Sequence, residues 1–269
     1  MSLPSIEHHQ RVIIPNKNGE KLVGILHECS GTTTNDIVIL CHGFCCSKDT
    51  DLVLNLAVAL EKAQVSSFRF DFSGNGESEG SFKFGNQRTE VDDLHAVAQH
   101  FRESNRVIRA IVGHSKGGNI VLLYASKYHD VKTVVNVSGR FDLKRGIEEL
   151  LGKDYLERIR KEGFNDVKKS SGSFDYRVTE ESLMDCLSIN MHESCLQIDR
   201  ECRVLTIHGS SDEINTVQDA HEFSKIIPNH KLHITEGADH LYNNHQDELS
   251  SVVINFINET IDHDKGTAS

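Results

Sequence analysis

The hydrophobic pattern of the chain alternates between two periods. Short apolar runs, such as Asp36-Ile37-Val38-Ile39-Leu40-Cys41, are typical of strands that are buried on both faces. Between these runs lie segments with apolar residues at helical spacing, such as residues 50–63. A repeated order of strand, loop and helix predicts a mostly parallel sheet with helices on both of its faces.

The N-terminal part of the chain departs from this alternation. Residues 10–28 contain two strand-like runs on either side of Asn18-Gly19, a favoured two-residue turn, and predict an antiparallel hairpin. After the hairpin, the pattern predicts strands at 36–41, 66–72, 107–112, 133–137, 204–207 and 231–234, and helices at 50–63, 88–103, 116–128, 216–227 and 246–259.

The alternation breaks between about residues 140 and 200, where the chain is charged, compatible with helices and without a clear β run. We therefore predict a single α/β domain over residues 1–269, with a helical lid inserted at about 143–200. Residues 263–269 are expected to form a disordered tail. The lid would lie over the carboxyl ends of the parallel strands, where α/β sheets bind ligands. Its apolar residues are therefore candidates for lining a pocket, although they could instead form only the lid's own core: Tyr155, Phe164, Phe174, Tyr176, Leu183, Met184 and Met191.

Charge and composition restrict the function classes. The chain has a formal net charge of −11, which argues against a nucleic-acid binder and against docking on an anionic membrane. No stretch has the 18 or more apolar residues of a membrane span, and Met1–Gln10 is too polar for a signal peptide. We expect a cytoplasmic protein, with the nucleus as a second location.

Nothing in the sequence predicts a metal or a cofactor. The seven cysteines are an odd number without a repeated CxxC spacing, which favours reduced thiols. His192, Cys195 and Cys202 match no zinc-ligand spacing. The glycines of Gly74-Asn75-Gly76 do not complete a dinucleotide fingerprint, because Glu79 occupies the third glycine position.

The strongest chemical motif is Gly113-His114-Ser115-Lys116-Gly117, which fits G-x-S-x-G. It follows a predicted strand and opens a predicted helix, the context of a nucleophile elbow. In such an elbow the serine lies on a strained turn that exposes its hydroxyl above the sheet edge. The sequence therefore predicts Ser115 as a nucleophile.

A nucleophilic serine needs a base and an acid that orients the base. In chains with a nucleophile elbow, these residues come after the serine in the sequence, first the Asp or Glu and then the His. Asp212 and His240 each lie in the loop after one of the last two predicted strands. We predict Asp212 as the acid and His240 as the base. Asp239 and Glu213 are alternative acids.

Acyl transfer also needs hydrogen-bond donors for the oxyanion. One donor is expected to be the main-chain N–H of Lys116, the residue after the nucleophile. The second is expected from the loop after the first buried parallel strand, His42-Gly43-Phe44, and we predict the N–H of Phe44.

These motifs together resemble the α/β-hydrolase superfamily over nearly the whole chain. The likeness is greatest to the branch of cinnamoyl (feruloyl) esterases, monoacylglycerol lipases and serine aminopeptidase-like hydrolases. The residues that carry it are His42-Gly43-Phe44, Arg69-Phe70-Asp71-Phe72, Gly74-Asn75-Gly76-Glu77-Ser78 and Glu236-Gly237-Ala238-Asp239-His240.

The resemblance implies the α/β-hydrolase fold, a triad of Ser115, Asp212 and His240, and oxyanion amides at Phe44 and Lys116. Lys116 departs from the branch, which more often has an uncharged residue there. We expect a serine hydrolase that cleaves a carboxylic ester of a small molecule. A peptidase or amidase, and a small-molecule receptor that retains the triad, are the alternatives. The substrate and the oligomeric state stay open.

Overall fold

The computed structural model describes residues 8–29, 35–169, 171 and 174–266. A sheet of eight strands forms its centre, and a second sheet has two strands. The central strands are β1 (His8–Pro15), β2 (Lys21–Glu28), β3 (Asp36–Cys41), β4 (Ser67–Phe70), β5 (Val107–His114), β6 (Thr133–Val137), β9 (Arg203–Gly209) and β10 (His230–Thr235), and the small sheet consists of β7 (Phe164–Lys168) and β8 (Phe174–Thr179).

The central sheet has the strand order β1-β2-β4-β3-β5-β6-β9-β10. β1 pairs with β2 and β2 with β4 in antiparallel fashion, and every later neighbour pair is parallel. The predicted hairpin is present, but its connection is the five-residue segment 16–20, not a two-residue turn. Asn16 accounts for this, because its side-chain oxygen accepts the N–H groups of Asn18 and Glu20.

Helices cover both faces of the sheet, as the sequence pattern predicts. They are α1 (Asp51–Lys62), α2 (Gln87–Glu103), α3 (Lys116–Tyr128), α4 (Ile147–Leu151), α5 (Tyr155–Glu162), α6 (Glu180–Leu187), α7 (Met191–Leu196), α8 (Val217–Ile226) and α9 (Gln246–Gly266). Strand β3 shows the layering: Ile37, Ile39 and Cys41 pack on the side of α2, α3 and α8, while Val38 and Leu40 pack on the side of α1 and α9. Because β3, β4, β5, β6, β9 and β10 pair in parallel, their carboxyl ends lie along the same edge of the sheet.

The insertion between β6 and β9 differs from the helical lid predicted for it. It contains α4, α5 and α6 together with the antiparallel pair β7 and β8. Residues 174–179 alternate in burial, with Tyr176 and Val178 directed inward, and this two-residue period is typical of a strand that is buried on one face. The inward side chains join a separate hydrophobic cluster with α4, α5 and α6. We call residues 141–188 the cap.

The last part of the predicted insertion belongs to the main domain. Met191, Cys195 and Ile198 lie in the same core cluster as α3, and all three are buried. At the C-terminus, α9 continues to Gly266, into the segment predicted as a tail. Residues 267–269 and the N-terminal residues 1–7 lie outside the described residues. Within the described part, no helix has the length and apolar character needed to cross a membrane.

Candidate active site

Ser115 lies between β5 and α3 in a strained conformation. Its φ of 54° and ψ of −118° are rare for an L-residue, and such a conformation costs about 1–3 kcal/mol. Two glycines make the turn possible: a Cβ at Gly113 would lie 2.0 Å from the carbonyl oxygen of Gly117, and one at Gly117 would lie 2.6 Å from that of Cys41. The N–H of Ser115 donates to Val137 on β6 at 2.8 Å.

The structure brings Ser115, His240 and Asp212 into one hydrogen-bonded chain. His240 Nε2 lies 3.0 Å from Ser115 Oγ, and His240 Nδ1 lies 2.7 Å from Asp212 Oδ2. A carboxylate can only accept, so Nδ1 carries the imidazole proton and Nε2 presents its lone pair to the serine hydroxyl. This tautomer can remove a proton from Ser115.

Asp212 is held by more donors than His240 alone. Its Oδ1 accepts the main-chain N–H groups of Ile214 and Asn215, both at 2.9 Å. His208 Nε2 lies 3.4 Å from Oδ2, the same oxygen that contacts His240 Nδ1. Burial by itself would raise the pKa of Asp212, but the hydrogen bonds from His208 and His240 hold it well below the usual range. The carboxylate therefore stays ionised beside His240.

The alternative acids lie elsewhere. Asp239 is turned toward its own loop, where it accepts the main-chain N–H of Asn243 at 3.0 Å and the side-chain amide at 2.6 Å. Glu213 is exposed on the wall of the cavity in front of Ser115. Neither is hydrogen-bonded to His240 within the described residues.

The two predicted oxyanion amides flank Ser115. The loop that carries Phe44 passes close to Ser115, since a Cβ at Gly43 would lie 3.3 Å from Ser115 Cβ. Lys116 is the first residue of α3, where main-chain N–H groups have no partner within the helix. Among the described residues, neither amide donates a hydrogen bond to another protein atom.

The side chain of Lys116 turns away from solvent and forms a buried ion pair. Its Nζ lies 2.6 Å from Glu90 Oε1, and it also lies over the rings of Phe44 and Phe82, at 5.4 and 5.9 Å from their centroids. Burial raises the pKa of Glu90, and the charge of Lys116 opposes that rise. This pairing explains how a lysine is accommodated directly after Ser115.

A cavity of about 620 Å³ opens in front of Ser115. Its polar lining comes mainly from the main domain, and its apolar lining includes Leu143, Ile147 and Leu150 of the cap. A volume of this size suits a small molecule. The sequence pattern does not indicate these three side chains, because Ile147 and Leu150 lie on α4, which is too short to give a periodic signal, and Leu143 lies in the loop before that helix.

None of the aromatic and methionine residues predicted to line the pocket does so. Tyr176 packs edge-on against Phe44 with the ring centroids 5.5 Å apart, so it supports the loop that carries Phe44. Met191 is buried in the main core, and Phe174 is exposed on β8. The other predicted residues lie in or on the cap: Tyr155 and Met184 line a separate depression, Leu183 is in the cap cluster, and the ring of Phe164 stacks under Arg177.

One group of potential metal ligands occurs among the described residues, far along the sheet from Ser115. His9 Nε2 and His27 Nδ1 both contact Glu61 Oε2, at 3.1 and 3.3 Å. Arg69 Nε donates to His27 Nε2 at 3.0 Å, so the proton of a neutral His27 is on Nδ1. That nitrogen then has no lone pair for a metal, and the group is better explained as a hydrogen-bonded cluster. Of the residues considered for zinc, Cys195 and Cys202 are buried thiols.

A family model described as serine aminopeptidase, S33, matches residues 32–193. The chain belongs to this family. The matched range includes Ser115 and both predicted oxyanion amides, whereas Asp212 and His240 follow it. Membership in the S33 family, together with the fold, makes the protein a hydrolase of the α/β-hydrolase type.

Solved structures show the same fold at low sequence identity. Est1E from Butyrivibrio proteoclasticus, with ferulic acid bound, is 22% identical with a TM-score of 0.80, over 93% of this chain and 99% of that chain. The Pyrococcus furiosus esterase Pf2001 is 19% identical with a TM-score of 0.71, over 94% and 91%. The α/β hydrolase GrgF from Penicillium sp. sh18 is 18% identical with a TM-score of 0.74, over 94% and 98%. Comparison with curated protein sequences gives no match.

Proposed function

We propose that this S33-family hydrolase is a carboxylesterase that acts on a small-molecule ester through Ser115, His240 and Asp212. The observation that carries the proposal is the hydrogen-bonded chain from Ser115 Oγ through His240 to Asp212, with successive distances of 3.0 and 2.7 Å. These distances are within reach of direct proton transfer. These three residues lie at the carboxyl ends of parallel strands, which is where open α/β sheets bind ligands.

In the proposed mechanism, His240 takes the proton of Ser115 as the hydroxyl oxygen attacks the ester carbonyl. Asp212 holds the imidazole in the required tautomer and stabilises the imidazolium that forms. The N–H groups of Phe44 and Lys116 bind the negatively charged oxygen of the tetrahedral intermediate. The imidazolium then protonates the leaving alcohol as the ester C–O bond breaks, which leaves an acyl-enzyme. Water attacks the acyl carbon while His240 takes its proton; the bond to Ser115 Oγ then breaks, His240 returns the proton to Oγ, and the carboxylic acid leaves. No cofactor takes part.

The family description makes an aminopeptidase the second candidate. An aminopeptidase must bind the protonated amino group of its substrate, which requires a fixed negative charge beside Ser115. Glu149 and Glu213 line the cavity, but both are exposed, so solvent screens their charges. The better fixed charge in this cavity is the guanidinium of Arg140, which repels an ammonium group. This charge distribution favours an ester over an amino-terminal peptide.

Turnover of 4-nitrophenyl acetate by the purified protein tests the proposal. We expect many turnovers per molecule, covalent labelling by a fluorophosphonate, and a loss of on the order of 10⁴- to 10⁶-fold in rate for Ser115→Ala. Ser126→Ala, a serine on the same helix α3, is the matched control and should retain activity. A single burst without turnover would favour a receptor, and preferential cleavage of an aminoacyl anilide would favour the aminopeptidase.

A further inference from the structure

Arg140 is a cation in the wall of the proposed active-site cavity, and it has no carboxylate partner among the residues that the structure describes. It follows β6, and its side chain is half-buried beside Asn215 and Gly146. Within the described residues, no carboxylate oxygen lies within 4.0 Å of its guanidinium. Burial, and next the charge of Arg145, lower the pKa of Arg140 from its ordinary value, and the charges of Asp219 and Asp212 offset this only in part.

Neutral oxygen atoms hold this guanidinium in place. Nε donates to Asn215 Oδ1 at 2.6 Å, and the two terminal nitrogens donate to the carbonyl oxygens of Arg145 at 2.8 Å and Ile214 at 2.9 Å. The main chain of Arg140 is fixed as well, since its carbonyl and N–H bond the side chain of Asn119 at 2.6 and 3.1 Å. An arginine has five N–H groups, so two remain for a ligand.

The other charged groups around the cavity are neutralised or solvated. Lys116 is paired with the buried Glu90. Arg145 is paired with the buried Asp219. The carboxylates of Glu149 and Glu213 are exposed, where water and salt screen them strongly. Arg140 is therefore the group that a charged substrate meets in a fixed position and in a partly desolvated wall.

We propose that the substrate carries a free carboxylate in addition to its ester bond, and that Arg140 binds this carboxylate. The planar guanidinium with two unused N–H groups matches the two oxygens of a carboxylate. The inference rests on the proposed esterase function and narrows it to half-esters of dicarboxylic acids and similar anionic esters. The apolar side chains of Leu143, Ile147 and Leu150 would contact the carbon chain between the two groups.

A pair of isosteric substrates tests the inference on the unmodified protein. The first is the mono(4-nitrophenyl) ester of adipic acid, and the second is the same ester with its free carboxylate replaced by a primary amide. We expect kcat/KM to be about ten-fold higher for the acid, mainly through KM, because a hydrogen bond to a charged partner is stronger than one to a neutral partner. Added NaCl should reduce the preference. Equal values for the two substrates would overturn the inference.

Variants assign the preference to Arg140. Arg140→Gln should bring the ratio of the two kcat/KM values to about one, and Arg140→Lys should retain part of the preference. Arg177→Gln, which removes the same charge from an exposed pair with Asp166 on the cap, is the matched control and should keep the full ratio. Glu213→Gln should change the ratio little, because solvent screens this exposed carboxylate. An equal loss on both substrates in Arg140→Gln would mean that Arg140 only supports the loop of Asp212.

Binding of adipate, measured by calorimetry, separates this inference from the proposed function. Adipate should bind the unmodified protein and bind more weakly to Arg140→Gln, with or without ester turnover. If neither ester is hydrolysed but adipate binds in this manner, the esterase proposal fails and the carboxylate site stands. If the esters are hydrolysed and Arg140→Gln binds adipate unchanged, the carboxylate site fails and the esterase stands.

Discussion

The ring of His114 holds the loop that carries His240: His114 Nε2 lies 2.8 Å from the carbonyl oxygen of His240. A carbonyl oxygen only accepts, so His114 donates from Nε2. The residue before the proposed nucleophile thus fixes the main chain of the proposed base. Burial lowers the pKa of His114 to about 4, so the ring is neutral at physiological pH.

Because of this contact, we expect His114→Leu to lower kcat even though Ser115 and His240 are both still present. The main chain of His240 would lose its donor, and the imidazole would be oriented less precisely toward Ser115. We expect a fall in kcat of about 10- to 100-fold, since displacements of about 1 Å can cost that much. Labelling of Ser115 by a fluorophosphonate should continue, but more slowly. An unchanged kcat would show that the loop needs no support from His114.

The same substitution should have a large effect on kcat at Asp212 and a small effect at Asp239. Asp212→Asn should lower kcat on the order of 10⁴-fold, because an amide at this position favours the wrong tautomer of His240. Asp239→Asn should lower it far less, since the side chain of Asp239 only caps its own loop through Asn243. Ester turnover by both variants measures the ranking. The reverse ranking would assign the acid to Asp239.

The buried pair of Lys116 and Glu90 predicts a stability effect. Lys116→Met leaves the carboxylate of Glu90 buried without its cation, which typically costs about 3–5 kcal/mol in unfolding free energy. The double variant Lys116→Met with Glu90→Leu should recover most of the loss. Lys225→Met breaks an exposed pair with Glu222 and should cost about 0–1 kcal/mol. Urea unfolding at pH 7 compares the variants; similar losses for both single variants would contradict the assignment.

We expect the folded protein to lose stability in mild acid, because buried histidines such as His42 resist protonation. His42 uses both ring nitrogens in its neutral form, since Nδ1 contacts the carbonyl of Gly43 at 2.8 Å and Nε2 accepts the N–H of Phe72 at 3.2 Å. Burial lowers the pKa of His42 to about 4, from 6.5. Between these values only the unfolded chain takes up the proton, so stability falls as the pH falls from 6.5 toward 4, by up to about 1.4 kcal/mol per pH unit.

Unfolding midpoints at pH 7 and pH 5 measure this loss. His42→Gln should show a smaller difference between the two pH values than the unmodified protein, because its position no longer titrates. His221→Gln, on the exposed face of α8, serves as the control for a histidine replacement. An identical pH dependence in His42→Gln and the unmodified protein would exclude His42 as a source of the acid sensitivity.

The cap gives a prediction about substrate size. Leu150 of α4 lines the cavity, so Leu150→Ala should raise KM for a bulky aryl ester, such as a ferulate ester, more than for an acetate. Met184 is similarly exposed but lines a separate depression, so Met184→Ala should leave both values unchanged. If both variants changed the two substrates equally, the cap would support the domain without selecting the substrate.

The sequence by itself determined the fold class, the strand order along the chain and the loops that carry Ser115, Asp212 and His240. These features depend on local periodicity and on a short motif, and each can be recognised from a short segment of the sequence. Parallel strands then bring their exit loops to one edge of the sheet.

Only the tertiary structure decided which side chains surround Ser115. The cap residues selected for their apolar character, Tyr176 and Met191 among them, pack elsewhere, while Leu150 and Arg140 line the cavity. The spacing of apolar residues along a helix or strand shows which of its faces is apolar, but it does not show which other helix or strand covers that face. The roles of Arg140, His114 and His208 depend on contacts between distant parts of the chain, and such contacts exist only once the sheet has formed.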